Sequence, residues 1–240
     1  LIGFGATLVL MAIRMPVGVA MLFVGAVGYV WLAGWQPLLN TLNTTTYSRF
    51  ANYTLSVVPL FLLMGHLATQ AGINSAMFRA ANAWFGHLRG GLAIATIGGC
   101  AMFGAICGSS LATAATMSQV AMPEMRKYRY SNALTTGTLA AGGTLGILIP
   151  PSVVLVIYAI YTEQSIGHLF LAAVIPGIIA TIGYMIVVSC YVRIKPDAGP
   201  AGPRSGWGER FQSVAGIWHV ALVFAIVVVG IYDGWFSPTE

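Results

Sequence analysis

Residues 90–123, GGLAIATIGGCAMFGAICGSSLATAATMSQVAMP, contain no Asp, Glu, Lys or Arg. As one straight helix this run would reach about 51 Å, whereas the hydrocarbon core of a bilayer is about 30 Å thick. The run therefore has to turn. Gly104, Gly108, Ser109 and Ser110 gather at its middle and are poor interior helix formers, and a Ser followed by Leu-Ala-Thr-Ala-Ala signals a helix N-terminus. The limb after the break, 110–122, spans about 20 Å, too short to cross. Arg79 and Arg89 precede the run, and Arg126, Lys127 and Arg129 follow it, so positive-inside bias assigns both ends to the cytoplasm. Residues 90–122 are expected to form a re-entrant helical hairpin.

The rest of the chain has the same character. Its 240 residues are 58% hydrophobic and 7% charged, with a mean hydropathy of +0.82, against about 25% charge in soluble domains. Soluble globular and disordered classes are excluded. Charge-free runs also cover 130–162, 164–192 and 211–232, each longer than the roughly 18 apolar residues that signal a spanning helix. The alternating strands of an outer-membrane barrel do not occur, so the expected fold is an all-α polytopic membrane protein. The net charge of +5 arises mostly from Lys and Arg between hydrophobic segments. Positive-inside placement accounts for them, and no nucleic-acid partner is expected. Cys100, Cys107 and Cys190 sit in apolar runs at unrelated spacings and encode neither a disulfide framework nor a metal knuckle. The opening at Leu1, without a Met or a basic leader, and the end at Glu240 directly after a hydrophobic segment predict a piece of a longer protein.

Upstream of the hairpin, residues 1–13 read as the tail of a helix, Arg14-Met15-Pro16 as a turn, and Val17–Ala33 as a short span ended by Gly34-Trp35-Gln36-Pro37. The Asn/Thr-rich residues 38–53 suit an extramembrane or interfacial connector. Residues 54–71, with Pro59 and His66, predict a span stopped by Gly72, and 74–89 an amphipathic helix lying at the surface. Downstream, the run 130–162 is interrupted by Gly142-Gly143-Thr144-Leu145-Gly146-Ile147-Leu148-Ile149-Pro150-Pro151-Ser152. It predicts a broken transmembrane helix that restarts at the prolines, where missing N–H groups matter least. Residues 166–192 return, with a kink at Pro176-Gly177, to basic Arg193-Ile194-Lys195. Residues 196–210 make the longest polar linker, and 211–232 the last span.

Two interruptions near membrane depth leave carbonyls and N–H groups that need partners. Transporters resolve this by giving half-helix carbonyls to a cation and half-helix N-termini to an anionic substrate. Ser109, Ser110 and Thr113 supply hydroxyl oxygens within one turn, and Gly143 and Gly146 let backbone carbonyls approach closely. The set suits a small hard cation such as Na+. The alternative is that these small residues only pack helices. His66 is an intramembrane ionisable group and could serve Ser109 or Ser110 as the base of an intramembrane serine hydrolase, but Cys107-Gly108-Ser109-Ser110-Leu111 lacks the Gly-x-Ser-x-Gly spacing. No Walker sequence for ATP is present.

At these residues the chain resembles the large membrane (permease) subunit of the tripartite ATP-independent periplasmic (TRAP) transporters, which are DctM-like. The likeness rests on Val58-Pro59-Leu60-Phe61-Leu62-Leu63-Met64-Gly65, Gly90-Gly91-Leu92-Ala93, residues 103–113, Pro123-Glu124-Met125 and Gly146-Ile147-Leu148-Ile149-Pro150-Pro151-Ser152. The resemblance implies one repeat of an inverted-repeat, elevator-type transporter of the bacterial inner membrane. It implies sodium-coupled uptake of a C4-dicarboxylate or sialic-acid-like anion, delivered by a periplasmic binding protein, with a small membrane subunit alongside. Na+ would be the coupling ion, no organic cofactor is implied, and the chain would not be an enzyme. Ser109, Ser110, Thr113, Gly143 and Gly146 would form the first sodium site, with Ser109 and Ser110 also facing substrate. By this analogy 1–89 holds scaffold-type helices and the surface helix, and 90–162 the transport-type hairpin (90–122) and broken helix (132–162). Residues 163–240 then hold the returning helix, the polar loop 193–210 and a final span leading to a second half. His66 and Cys107 depart from the family, which more often has Asn and Ser at those places.

Overall fold

The computed structural model describes residues 2–51, 57–204 and 206–218, with single positions at 222, 226, 229, 230 and 235. Every regular element among them is helical. They fall into two compact units, Leu1–Tyr53 and Thr54–Glu240.

The first unit holds α1 (Ile2–Ala12), α2 (Val17–Ala33) and α3 (Trp35–Phe50). Pro16 and Gly34 bound α2 as the sequence predicts; Gly34 has φ +92°, a conformation that ends a helix. Residues 38–50, read from composition as a connector, are helical. Their polar side chains do not oppose the helix, because Thr44 donates its hydroxyl to the Asn40 carbonyl within it at 2.7 Å.

The second unit is organised around the uncharged run. It contains α4 (Val57–Gln70), α5 (Ile73–Phe85), α6 (Gly91–Cys107), α7 (Ser110–Lys127), α8 (Asn132–Leu148), α9 (Val153–Thr162), α10 (Ile166–Ile194) and α11 (Trp207–Ala215). The helix α6 is almost wholly buried and packs against α4, α5, α7, α8 and α10. Contacts between α6 and α7 pair residues in reverse order: Cys107 with Thr113, Gly99 with Met117 and Thr96 with Met125. The two are therefore an antiparallel helical hairpin. Its second limb is longer than predicted, since α7 continues through Pro123 to Lys127, about 27 Å in all.

Three further differences have local causes. The helix α5 is amphipathic, but Met77, Phe78, Ala80 and Ala81 are buried and its apolar face covers α6, with Gly98 meeting Ala81 and Gly99 meeting Phe78. It does not lie free on a surface. The interruption after α8 is confined to 149–152, because Gly142, Gly143 and Gly146 remain helical and serve close packing. The helix axes of α8 and α9 differ by 41°. Residues 207–215, assigned to the polar linker and the start of the last span, form the separate short helix α11. The rest of the span predicted over 211–232 lies mostly outside the described residues, as do 54–56 and Ser237–Glu240.

Among the described residues α10 is long and apolar enough to cross a membrane alone, and α8 with α9 would do so as one bent span. Along α10 the residues Ile175, Ile178, Ile179, Ile182, Ile186 and Val187 form one exposed apolar stripe, a surface suited to lipid rather than water.

At the other end of the hairpin, Tyr130 links three segments. Its hydroxyl donates to the Pro200 carbonyl at 2.9 Å and accepts from the Leu92 N–H at 3.2 Å. Burial raises the phenol's pKa, against the lowering effect of the Leu92 bond, so it keeps its proton and both bonds at neutral pH. Tyr130→Phe strands both backbone groups and is expected to cost about 1–2 kcal/mol, read as a lower melting temperature in detergent; an unchanged melt would remove Tyr130 from this role.

Candidate functional site

The hairpin turns on Gly108, whose φ of +62° falls where a side chain is strained. A Cβ there would also stand 2.8 Å from the Pro151 carbonyl oxygen, so the turn rests directly on the α8–α9 break. The Gly108 carbonyl accepts from the Val153 N–H at 3.4 Å. Ser109 then caps α7, its hydroxyl accepting from the Ala112 N–H at 3.4 Å. The sequence thus places a tight turn, a cap and a proline break at one spot.

Below the turn α6, α7 and α8 meet through glycine. A Cβ on Gly104 would lie 2.7 Å from Gly146 Cα, and one on Gly146 would lie 2.5 Å from Thr113 Oγ1 and 2.8 Å from the Ser109 carbonyl oxygen. A Cβ on Gly143 would lie 2.6 Å from Ala114 Cβ and 3.3 Å from the Ser110 carbonyl oxygen. All five predicted residues, Ser109, Ser110, Thr113, Gly143 and Gly146, therefore come together, four of them as backbone in close approach. Gly143 lies inside intact α8, whereas Gly146 lies at its end. Pro150 brings no N–H to the Gly146 carbonyl four residues before it, and Pro151 brings none to Ile147. The Ile147 carbonyl is compensated by the buried Ser152 hydroxyl at 2.7 Å.

Thr113, like Thr138 of α8, differs from the other threonines of this core. Thr96, Thr116, Thr135 and Thr181 each donate the hydroxyl to the carbonyl four residues earlier. Thr113 is 0% exposed, yet its Oγ1 has no partner of acceptable geometry among the described residues, although the Cys107 thiol, a weak hydrogen-bonding group, lies beside it. A buried hydroxyl without a partner is costly and rare. Here it faces Gly146, at the site where a carbonyl has lost its helical donor.

His66 takes no part. It is exposed on α4, while the adjoining Gly65 is the residue that meets Cys107, and no described hydrogen bond joins His66 to Ser109 or Ser110. Among the described residues no base is hydrogen-bonded to either serine. Among the described residues no three His, Cys, Asp or Glu side chains gather as metal ligands. Sequence reasoning missed Ser152, which stands at the N-cap position before α9, where serine is favoured, but turns its hydroxyl back to the Ile147 carbonyl instead of capping. It also placed Gly104 in the break, whereas Gly104 lies inside α6.

Comparison with known proteins identifies the family. The family "Tripartite ATP-independent periplasmic transporter, DctM component" matches residues 4–240. The C4-dicarboxylate TRAP transporter large permease protein DctM of Pseudomonas aeruginosa is 40% identical over 84% of this chain and 47% of its own length. The sialic acid TRAP transporter large permease protein SiaM of Vibrio cholerae is 35% identical over 94% of this chain and 52% of its own. The ectoine TRAP transporter large permease protein TeaC of Halomonas elongata is 31% identical over 96% and 54%. The chain spans about half the length of these relatives, all of them transporter permeases and none an enzyme. A hairpin seated on a proline-broken helix, an uncharged core and a family match over nearly the whole sequence make this chain a membrane protein of the DctM component family of TRAP transporters.

Proposed function

We propose that this chain is a multi-pass permease of the bacterial inner membrane that couples Na+ entry to uptake of an organic acid, working with a small membrane subunit and a periplasmic binding protein. The observation that carries the sodium reading is the buried, unpartnered Thr113 hydroxyl beside the Ser109 backbone and the end of α8. Such neutral oxygens suit a hard monovalent cation and need no carboxylate. Thr113 Oγ1, the Ser109 and Ser110 oxygens and the Gly146 carbonyl would hold the ion, and Gly143 lets α7 come close enough. The N-terminus of α7, opened by Ser109 and Ser110, would face a substrate carboxylate. The substrates named for the relatives, C4-dicarboxylate, sialic acid and ectoine, all carry that group.

Energetically, each Na+ moving inward gains about 2.3 kcal/mol per 100 mV and about 1.4 kcal/mol per tenfold gradient. This serves uptake only if ion and substrate together permit an elevator movement of residues 90–162 against the scaffold helices of 1–89. Given relatives of twice its length, this chain would supply one of two half-sites, and the exposed hairpin tip, with Leu111 82% exposed, would meet the other half. The test is uptake of a labelled C4-dicarboxylate or sialic acid by the complete transporter in liposomes with its binding protein. Uptake should stop when sodium is replaced by potassium; undiminished uptake would return the site to helix packing.

The re-entrant placement has its own test. Arg89→Cys and Arg126→Cys, in a background lacking Cys100, Cys107 and Cys190, should both be labelled by a membrane-impermeant thiol reagent from the cytoplasm. Labelling from opposite sides would contradict it.

A further inference from the structure

The guanidinium of Arg210 sits among aromatic rings instead of carboxylates. Its Cζ lies 5.2 Å from the ring centre of Trp207 and 6.0 Å from that of Trp84, and its Nη2 lies 3.4 Å from His87 Nδ1. Its Nε is buried and has no hydrogen-bond partner among the described residues. Glu209 adjoins it in sequence but points about 100° away around the helix. Among the described residues the one side-chain ion pair joins Lys127 to Glu124. A cation with a buried idle donor and no carboxylate is short of an anion.

The surroundings indicate which anion. The Gly202 N–H donates to the Gly86 carbonyl at 3.0 Å, and the Gly90 N–H to the Gly199 carbonyl at 2.9 Å. These bonds tie the 199–202 loop to the end of α5, so His87, Arg89 and Arg204 lie on the same segments that meet there. Beside this basic end runs an exposed apolar face. Trp207, Phe211 and Val214 recur at helical spacing along α11 with exposures of 69%, 64% and 42%, and Trp84 and Phe85 of α5 and Leu88 in the turn after it are exposed too. The Trp207 and Phe211 rings stack with centroids 6.4 Å apart. Exposed tryptophans bordering arginine are the chemistry of the membrane–water interface, with rings at headgroup depth and cations on phosphate.

We propose that Arg210, walled by Trp84 and Trp207 and backed by His87, binds the phosphate of an anionic phospholipid headgroup, with the Trp207–Phe211–Val214 face lying along its acyl chains. A planar guanidinium offers parallel N–H bonds to two phosphate oxygens while stacking on the rings. With Nδ1 accepting from Arg210, the His87 proton sits on Nε2 and adds a further donor. This site is independent of the sodium reading.

The test uses the purified protein, stripped of native lipid in neutral detergent and titrated with phosphatidylglycerol, phosphatidylcholine or inorganic phosphate, with bound lipid counted by native mass spectrometry. Phosphatidylglycerol should bind in preference to phosphatidylcholine and should not be displaced by inorganic phosphate at equal concentration. Arg210→Gln should weaken it roughly tenfold, Arg210→Lys less, and Trp207→Leu measurably while keeping an apolar face. Undiminished phosphatidylglycerol binding by Arg210→Gln with unchanged circular dichroism would overturn the proposal. So would displacement by inorganic phosphate, which would mark a free-anion site, or a small membrane subunit covering the patch with no lipid retained. Should Arg210→Gln fail to fold, undiminished binding by Trp207→Leu would overturn it.

Discussion

Gly146→Ala is expected to destabilise the protein by about 1–3 kcal/mol, the range for forcing an extra methyl into a packed core. The new Cβ would stand 2.5 Å from Thr113 Oγ1 and 2.8 Å from the Ser109 carbonyl oxygen, both on the hairpin limb that must stay against α8. Neither is the free end of a long side chain, so the hairpin itself has to move. Gly104 closes the other approach, since a Cβ there would meet Gly146 Cα at 2.7 Å. Gly137, in the same helix, supplies the control: a Cβ there meets nothing within 4 Å, and Ala in place of Gly gains up to about 1 kcal/mol of helix propensity. Melting in detergent should fall for Gly146→Ala and hold or rise for Gly137→Ala. Equal melting temperatures for the two would mean that the close approach at Gly146 is not maintained.

Thr113→Val separates stability from function. Replacing a buried, unpartnered hydroxyl by a methyl of similar shape relieves a desolvated polar group, so the variant should be as stable as the parent or more so, by about 1 kcal/mol. If the hydroxyl serves Na+, the same change removes a ligand. The sodium concentration for half-maximal uptake by the complete transporter should then rise roughly tenfold, about 1.4 kcal/mol of lost binding. Thr113→Ser keeps the oxygen and should keep the sodium dependence. A stable variant that has lost coupling is the exchange expected of a site that holds a polar group in reserve for a ligand. Unchanged sodium dependence in Thr113→Val would assign Thr113 to packing alone.

Where local chemistry is unambiguous, the sequence is sufficient. Pro16 and Gly34 bound α2 at the predicted residues, and Gly108-Ser109 marks the hairpin turn because a positive φ and a capping hydroxyl adjoin. It misleads where one residue type has two uses. Gly142, Gly143 and Gly146 read as a helix break, yet they remain helical, because glycine also admits a neighbouring backbone and the neighbour is invisible from α8 alone. Thr and Asn in 38–50 read as a connector, yet Thr44 satisfies its hydroxyl on its own helix and Thr41 pairs with Tyr29 of α2. Counting charges hid α11, since Glu209 and Arg210 placed it in a polar loop while its aromatic spacing at 207, 211 and 214 is helical. The convergence of Ser109, Ser110 and Thr113 on the end of α8 was legible from two adjacent interruptions. Thr113's lack of a partner was not, because sequence does not say which threonine declines the carbonyl behind it.

The most direct measurement is the melting temperature of the complete transporter in detergent as sodium replaces potassium at constant ionic strength. An ion that binds the folded state stabilises it by RT ln(1 + [L]/Kd), about 2.7 kcal/mol at a hundred times Kd. The parent protein should melt higher in sodium, Thr113→Ser should follow it, and Thr113→Val should melt at the same temperature in both salts. A sodium-dependent rise of equal size in Thr113→Val, or none in the parent, would contradict a sodium site between the hairpin and the broken helix.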